Sequence, residues 1–137
     1  MSQDTIQSEP VSRLFQDKNF GFLATLMPDG SPQVTPTWVD KDGSHILVNT
    51  AVGRLKHKNI LHDPRVAVAV ADMANPYNMV TIRGKVVEQT TKGAEEHIDK
   101  MAKKYLGLDK YPGRAPGEKR LILKIRPDRV FHQKPPR

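Results

Sequence analysis

Three cations, Arg54, Lys56 and Lys58, stand in the segment Thr50-Ala51-Val52-Gly53-Arg54-Leu55-Lys56-His57-Lys58-Asn59. An apolar strand, His45-Ile46-Leu47-Val48-Asn49, runs into it, and a short turn leads on into a helix. Arg54 and Lys58 are four apart, so a helix puts them on one face. The backbone N–H groups of a first helical turn add partial positive charge. Together these groups form a site for a phosphate or carboxylate. Lys56 falls about 200° from Arg54 on an ideal helix, so it joins the pair only if the turn is irregular. Three cations at a helix start oppose the helix dipole, and local conflicts of that kind gather at functional sites. The competing reading is a solvated basic face.

No catalytic constellation accompanies these cations. The five histidines (His45, His57, His62, His97, His132) show no metal spacing such as H-E-x-x-H. There is no G-x-S-x-G, no Walker loop and no pair of carboxylates in a recognisable setting. The chain has no cysteine, which excludes disulfides, thiolate metal sites and cysteine nucleophiles. Binding groups without an acid, base or nucleophile suit a cofactor enzyme, where the protein supplies binding, orientation and electrostatics.

Other polar residues carry two readings each. His57 reads as a surface histidine, and Asn59 as a buried amide fixing the helix to a strand. Trp38, the only tryptophan, suits a core or an interface and can also border a ligand. Thr35 and Thr37 are ordinary strand formers whose hydroxyls can equally hydrogen-bond a ligand. Pro36 between them lacks an N–H, which frees neighbouring backbone for a ligand.

The elements that must position these residues follow from the pattern. Residues 11–18 place Val11, Leu14 and Phe15 on one helical face. Residues 20–27 form a strand, Pro28-Asp29-Gly30-Ser31 a turn, and residues 32–40 the returning strand of a hairpin. Pro32 and Pro36 make that second strand either an edge strand or one irregular in its middle. A second hairpin turns at Lys41-Asp42-Gly43-Ser44 into the strand 46–50. The helix over 53–62 stops at Asp63-Pro64. The Val/Ala run 65–71 suits a strand buried on both faces. Residues 77–89 form a long strand with Val80, Ile82 and Gly84 on one side, and Gly84 marks a bulge or bend.

The longest helix carries Ala94, Ile98, Met101, Tyr105 and Leu108 as one stripe. Thr90 or Thr91 caps its start, Gly107 ends it, and Glu96 with Lys100 adds an exposed pair. A Pro/Gly-rich loop spans 109–119. Residues 121–125 form a strand, Pro127-Asp128 turns the chain, and 129–132 is a last extended piece. Six to seven strands, mostly hairpin-linked, favour an antiparallel sheet closed as a barrel. The fold class is α+β.

At 137 residues the chain fits one domain. Hydrophobic residues make up 37% and charged residues 27%, an ordinary balance for a soluble protein. No stretch approaches the roughly 20 apolar residues of a membrane span. The start of the chain lacks the basic-then-apolar pattern of a signal peptide, so the cytoplasm is the expected location. The net charge of +7 points to an anionic small molecule or to nucleic acid. Much of that charge is dispersed in Arg114, Lys119, Arg120, Arg126, Arg129, Lys134 and Arg137. Basic residues do not interleave with aromatic ones as in single-strand binders, and no recognition helix is visible. Nucleic acid is therefore the disfavoured partner.

The ordered set Ser31-Pro32-Gln33-Val34-Thr35-Pro36-Thr37-Trp38, Asn49-Thr50, Gly53-Arg54-Leu55-Lys56-His57-Lys58-Asn59-Ile60, Asp63-Pro64-Arg65-Val66 and Arg83-Gly84 resembles the pyridoxamine-phosphate-oxidase-like split β-barrel family. Within it, the chain is most similar to the small flavin- or deazaflavin-dependent oxidoreductases. The resemblance implies a single split-barrel domain over 1–137, with 1–10 and 133–137 as flexible tails. It implies a homodimer with cofactor sites at the interface and FMN or the deazaflavin F-420 as cofactor. It assigns the cofactor phosphate to Arg54, Lys56 and Lys58, with support from Asn49, Thr50 and Asn59. Ring contacts fall to Thr35, Pro36, Thr37 and Trp38, partly through backbone. The expected function is hydride transfer to or from a small organic substrate. The positive net charge suits the oligoglutamate tail of F-420, whereas the phosphate of FMN needs fewer cations.

Tyr77-Asn78, Arg83 and the loop 110–119 are further candidates for substrate or anion recognition. The rival reading is a non-catalytic flavin- or haem-binding module of the same fold, with His45 or His132 as the haem ligand. A third is an interaction domain that uses the positive charge.

Overall fold

A computed structural model describes residues 5–136. The elements are α1 (Val11–Gln16), β1 (Gly21–Leu26), β2 (Pro32–Thr37), β3 (Asp40–Asp42), β4 (His45–Ala51), α2 (Leu55–His62), β5 (Arg65–Ala71), β6 (Met79–Thr90), α3 (Ala94–Leu106) and β7 (Arg120–Gln133). The seven strands form one antiparallel sheet in the order β2-β1-β5-β6-β7-β4-β3. Its two edge strands, β2 and β3, are consecutive in the chain and are joined only by Trp38 and Val39. So short a link holds the edges within about 10 Å of each other. The sheet must curl, and it becomes a barrel split along the β2–β3 seam. Pro32 and Pro36 lie on an edge, as the missing N–H groups require.

The barrel interior is filled by alternate strand residues: Leu23, Val48, Val66, Val68, Val70, Val80, Ile82, Leu123 and Ile125, closed at one end by Leu14 and Phe15 of α1. Ile6 belongs to the same core. The segment expected as a loose tail over 1–10 is thus packed at Ile6, while residues 1–4 and 137 lie outside the described residues. A smaller cluster of Ile98, Met101 and Tyr105 on α3 packs against Trp38 and Tyr111 outside the barrel.

Several local expectations are corrected. β5 is not buried on both faces: Val66, Val68 and Val70 point inward, while Ala67, Ala69 and Ala71 are half-exposed. The chain does not turn at Pro127-Asp128. β7 runs unbroken, and only its register against β6 shifts, between Val86 and Glu88 and, beside Pro127, between Arg83 and Gly84. Gly84 permits that shift, because a Cβ there would lie 2.1 Å from the Arg126 carbonyl oxygen. The strand reaches Gln133, the first residue of the segment expected as a flexible tail, and His132 is buried against Asn78.

Neither Thr90 nor Thr91 caps α3 with its side chain. The N-cap is Gly93, and Gly107, at φ 73°, ends the helix. Leu108 lies beyond the helix and is exposed, so the buried stripe stops at Tyr105. Lys100 turns its ammonium to Asp40, 3.4 Å away, instead of to Glu96.

Candidate functional site

The β4–α2 junction lies where expected, but the residues it gathers differ. Arg54 is the extended N-cap of α2 (φ −65°, ψ 160°) rather than part of its first turn. This irregularity replaces the ideal-helix geometry. Arg54 and Lys56, not Arg54 and Lys58, line one cleft. Lys58 is exposed and takes no part in that lining. His57, expected as a plain surface residue, braces the junction. Its Nδ1 accepts the Gly53 N–H at 3.0 Å, and its Nε2 donates to Gln89 Oε1 at 2.9 Å.

The cleft has a volume of about 190 Å³. Pro36, Thr37 and Trp38 of the seam line it together with Asn49, Arg120, Arg54 and Lys56. Phe20, Ile98 and Tyr111 complete the apolar lining. Trp38 is held by ring packing: it stacks on Tyr105 at 5.2 Å with planes 5° apart, and Tyr111 meets it edge-on at 5.9 Å. The Tyr105 hydroxyl donates to the Asn19 carbonyl at 2.7 Å and accepts the Val39 N–H at 3.0 Å. Burial pushes its pKa up to about 12. That anchor fixes the aromatic wall at the seam of the barrel.

Two further charged groups have no local mark in the sequence: Arg120, which lines the cleft, and Glu118, which is outside its lining but pairs with Arg54 and Arg120. Arg120 opens β7, and antiparallel pairing sets it opposite Ala51, the last residue of β4. It is 4% exposed. Glu118, from the loop before β7, brings Oε1 to 3.0 Å from Arg54 Nη2 and 3.2 Å from Arg120 Nη1. In the sequence Arg120 is one more dispersed cation. Only the β4–β7 pairing reveals its place, although the Pro/Gly-rich loop before it was singled out. Three cations against one carboxylate leave the cleft with two units of positive charge. Lys56 feels it: burial first, then Arg54 and Arg120, hold its ammonium below the usual lysine value.

The remaining expected site residues divide. Asn49 reaches the cleft, and its side chain is engaged by Ala94, His97 and Arg120. Thr37 lines the cleft but points its hydroxyl at the Trp38 carbonyl, 3.3 Å away. The Thr35 and Thr50 hydroxyls are buried without a hydrogen-bond partner, and neither residue lines the cleft. Asn59 faces away from it. Its amide donates to Thr25 Oγ1 at 2.9 Å and ties α2 to β1, the structural reading of that residue.

Two larger clefts lie on the outer face of β1, β5, β6 and β7. One, of about 610 Å³, is edged by Arg65, Arg83, Lys85 and Arg129. The other, of about 550 Å³, is apolar and bordered by Phe22, Val34 and Phe131. Strand register sets Pro36, Phe22, Ala69, Thr81 and Phe131 in one row across five strands. Val34 is 61% and Phe131 63% exposed. Pro36 belongs both to this row and to the cationic cleft, so the two surfaces are continuous. Among the described residues no cluster of metal-ligating side chains occurs, and no helix is long and apolar enough to cross a membrane.

An antiparallel split barrel with a cationic cleft at its β4–α2 junction defines a class of protein. The sequence pattern of that class, pyridoxamine 5'-phosphate oxidase, matches residues 8–134. The chain belongs to the pyridoxamine 5'-phosphate oxidase family. It is similar to a solved structure named F-420 reductase, with 30% identity over 90% of this chain and 98% of that one, at a TM-score of 0.79. A conserved hypothetical protein of Mycobacterium tuberculosis shares the fold at 22% identity, with 98% and 90% of the two chains covered and a TM-score of 0.71. General stress protein 26 of Bacillus anthracis does so at 16%, 96%, 97% and 0.68, respectively. No curated protein matches the chain.

Proposed function

We propose that this protein is an oxidoreductase that holds FMN or F-420 by its phosphate and moves a hydride to or from a small organic substrate. The observation that carries this reading is the convergence of Arg54 and Lys56 beside the Trp38 wall. Two cations there offer charge-assisted hydrogen bonds to a phosphate, and the Pro36–Trp38 strand offers a flat wall to a ring system. The likeness to a protein named F-420 reductase supports the deazaflavin. When bound, the cofactor would supply the hydride chemistry. The chain's own task is to hold the anionic end, align the ring and keep water from one face of it.

The working unit in this proposal is a homodimer. A cleft of about 190 Å³ is smaller than the 300–1,000 Å³ usual for a site that encloses a ligand of this size. Pro36 also leads toward a sheet face that exposes Phe22, Val34 and Phe131, the kind of apolar patch that marks an interaction site. A second copy seated on that face would complete the site.

Absorbance and fluorescence titration of the purified protein with FMN and with F-420 tests the reading. Micromolar or tighter binding of at least one is expected, and turnover with it separates an enzyme from a carrier. Failure to bind either overturns the proposal.

A further inference from the structure

We infer that Arg120 is a third ligand for the cofactor's anionic group, and that Asp40, His97 and Asn49 form a relay that positions it; the inference rests on the reading of the cleft as a phosphate site. Arg120 is buried, yet its hydrogen bonds are only half made. Its Nε donates to Asn49 Oδ1 at 2.9 Å, and its guanidinium carbon lies over the Tyr111 ring, 5.2 Å from the centroid. Its Nη1 sits 3.2 Å from Glu118 Oε1 in an orientation that makes no hydrogen bond, and it has no other partner. A buried guanidinium donor left unmade is costly. One lining a cleft that also holds Arg54 and Lys56 has an evident use: an entering anion completes it.

The orientation of Arg120 is built from behind. His97 Nε2 donates to Asp40 Oδ2 at 3.0 Å. That leaves His97 Nδ1 to accept from Asn49 Nδ2 at 3.1 Å. The same amide nitrogen donates to the Ala94 carbonyl at 2.9 Å. With its nitrogen so committed, the Asn49 amide can only present its oxygen to Arg120, whose Nε meets it. Each donor in the line points from the cleft toward Asp40. Asn49 is therefore a positioning residue, and the group it positions touches the ligand. The charge fits as well. The cleft's two net positive units match the phosphate monoester of FMN, which carries about −1.5 to −2 at neutral pH, and exceed the single charge of the F-420 phosphodiester.

The test compares each phosphate-bearing cofactor with a phosphate-free counterpart: FMN with riboflavin, and F-420 with the deazaflavin that lacks its phosphodiester tail. Arg120→Gln should weaken binding of the phosphate-bearing partner roughly 10- to 100-fold and leave the neutral one nearly unchanged. The double variant Arg120→Gln/Glu118→Gln, which strands no buried carboxylate, should still lose preference for the phosphate-bearing partner relative to Glu118→Gln alone, by a similar factor. His97→Leu should lower the preference for phosphate, and His97→Gln, whose amide can donate to Asp40 and accept from Asn49, should restore it. If the wild type prefers phosphate, and Arg54→Gln abolishes that preference while both Arg120 variants keep it, this inference is overturned and the phosphate reading stands. A preference unmoved by His97→Leu removes the relay. Equal wild-type affinity for charged and neutral partners, or no binding of any of the four, overturns the phosphate reading itself and Arg120's role with it.

Discussion

The Glu118 carboxylate stands 3.0 Å from the Arg54 guanidinium, so an anion entering the cleft meets a like charge already in place. Removing that charge should favour the ligand. Glu118→Gln is expected to tighten FMN or F-420 binding by about 3- to 10-fold, in line with the modest energy of partly exposed charge pairs. The gain should shrink in high salt. Weaker binding in this variant would mean that Glu118 serves to hold Arg54 and Arg120 in place.

Lys56 gives the site a pH dependence of definite sign. Its ammonium is easier to deprotonate than an ordinary lysine, through burial and the nearby Arg54 and Arg120. Only the charged form attracts phosphate. Cofactor affinity should therefore fall as pH rises, starting below the usual lysine range. Lys56→Gln should bind more weakly at neutral pH and lose that dependence. The affinity–pH curves of the two proteins decide the matter.

Asp40 governs acid stability. Burial alone would raise its pKa, but the His97 hydrogen bond and the Lys100 charge bring it down to about 2. A carboxylate lowered in the folded state adds stability that is fully present above its unfolded value and lost as pH falls through the folded one. After allowance for solvent screening, denaturant titrations between pH 5 and 2 should show the wild type losing about 1–2 kcal/mol more than Asp40→Asn.

The β6–β7 bulge tolerates no side chain at position 84. A Cβ there would press on the Arg126 carbonyl at 2.1 Å, and the obstacle is backbone, which cannot swing aside. Gly84→Ala should cost about 2–4 kcal/mol, read as a lower urea midpoint. A neutral substitution would show that the register shift can relax.

The apolar outer face should control assembly. Phe131, 63% exposed at the end of the five-strand row, would lie in the interface of the proposed homodimer. Phe131→Asp should give a monomer by analytical ultracentrifugation and weaken cofactor binding along with it. A dimer that persists would place the interface elsewhere.

What could be read from the sequence follows from how local each signal is. Hairpin turns, the Gly53–His62 junction, the α3 stripe and the Gly84 irregularity depend on neighbours within a few residues, and all have counterparts in the structure. Pairing between distant strands has no local mark. That is why Arg120 passed as dispersed charge, and why β7 was read as two strands parted by Pro127-Asp128. Lys58 was favoured over Lys56 for a related reason. Helical spacing ranks side chains only where the backbone is helical, and Arg54 sits one step before the helix begins. Asn59 and His57 satisfy backbone and side-chain partners that become visible only once β1 and β6 are placed beside α2.

The pairing of Ala51 with Arg120 has a consequence for how the cleft comes into being. Arg54 and Lys56 arrive with the front half of the chain and Arg120 with its closing strand, so no contiguous fragment of moderate length contains the whole charge cluster. Such non-local closures are slow to form. During synthesis the cleft is therefore incomplete until the β7 segment has emerged and docked, and a nascent chain halted before that strand would carry two of the three cations and lack Arg120.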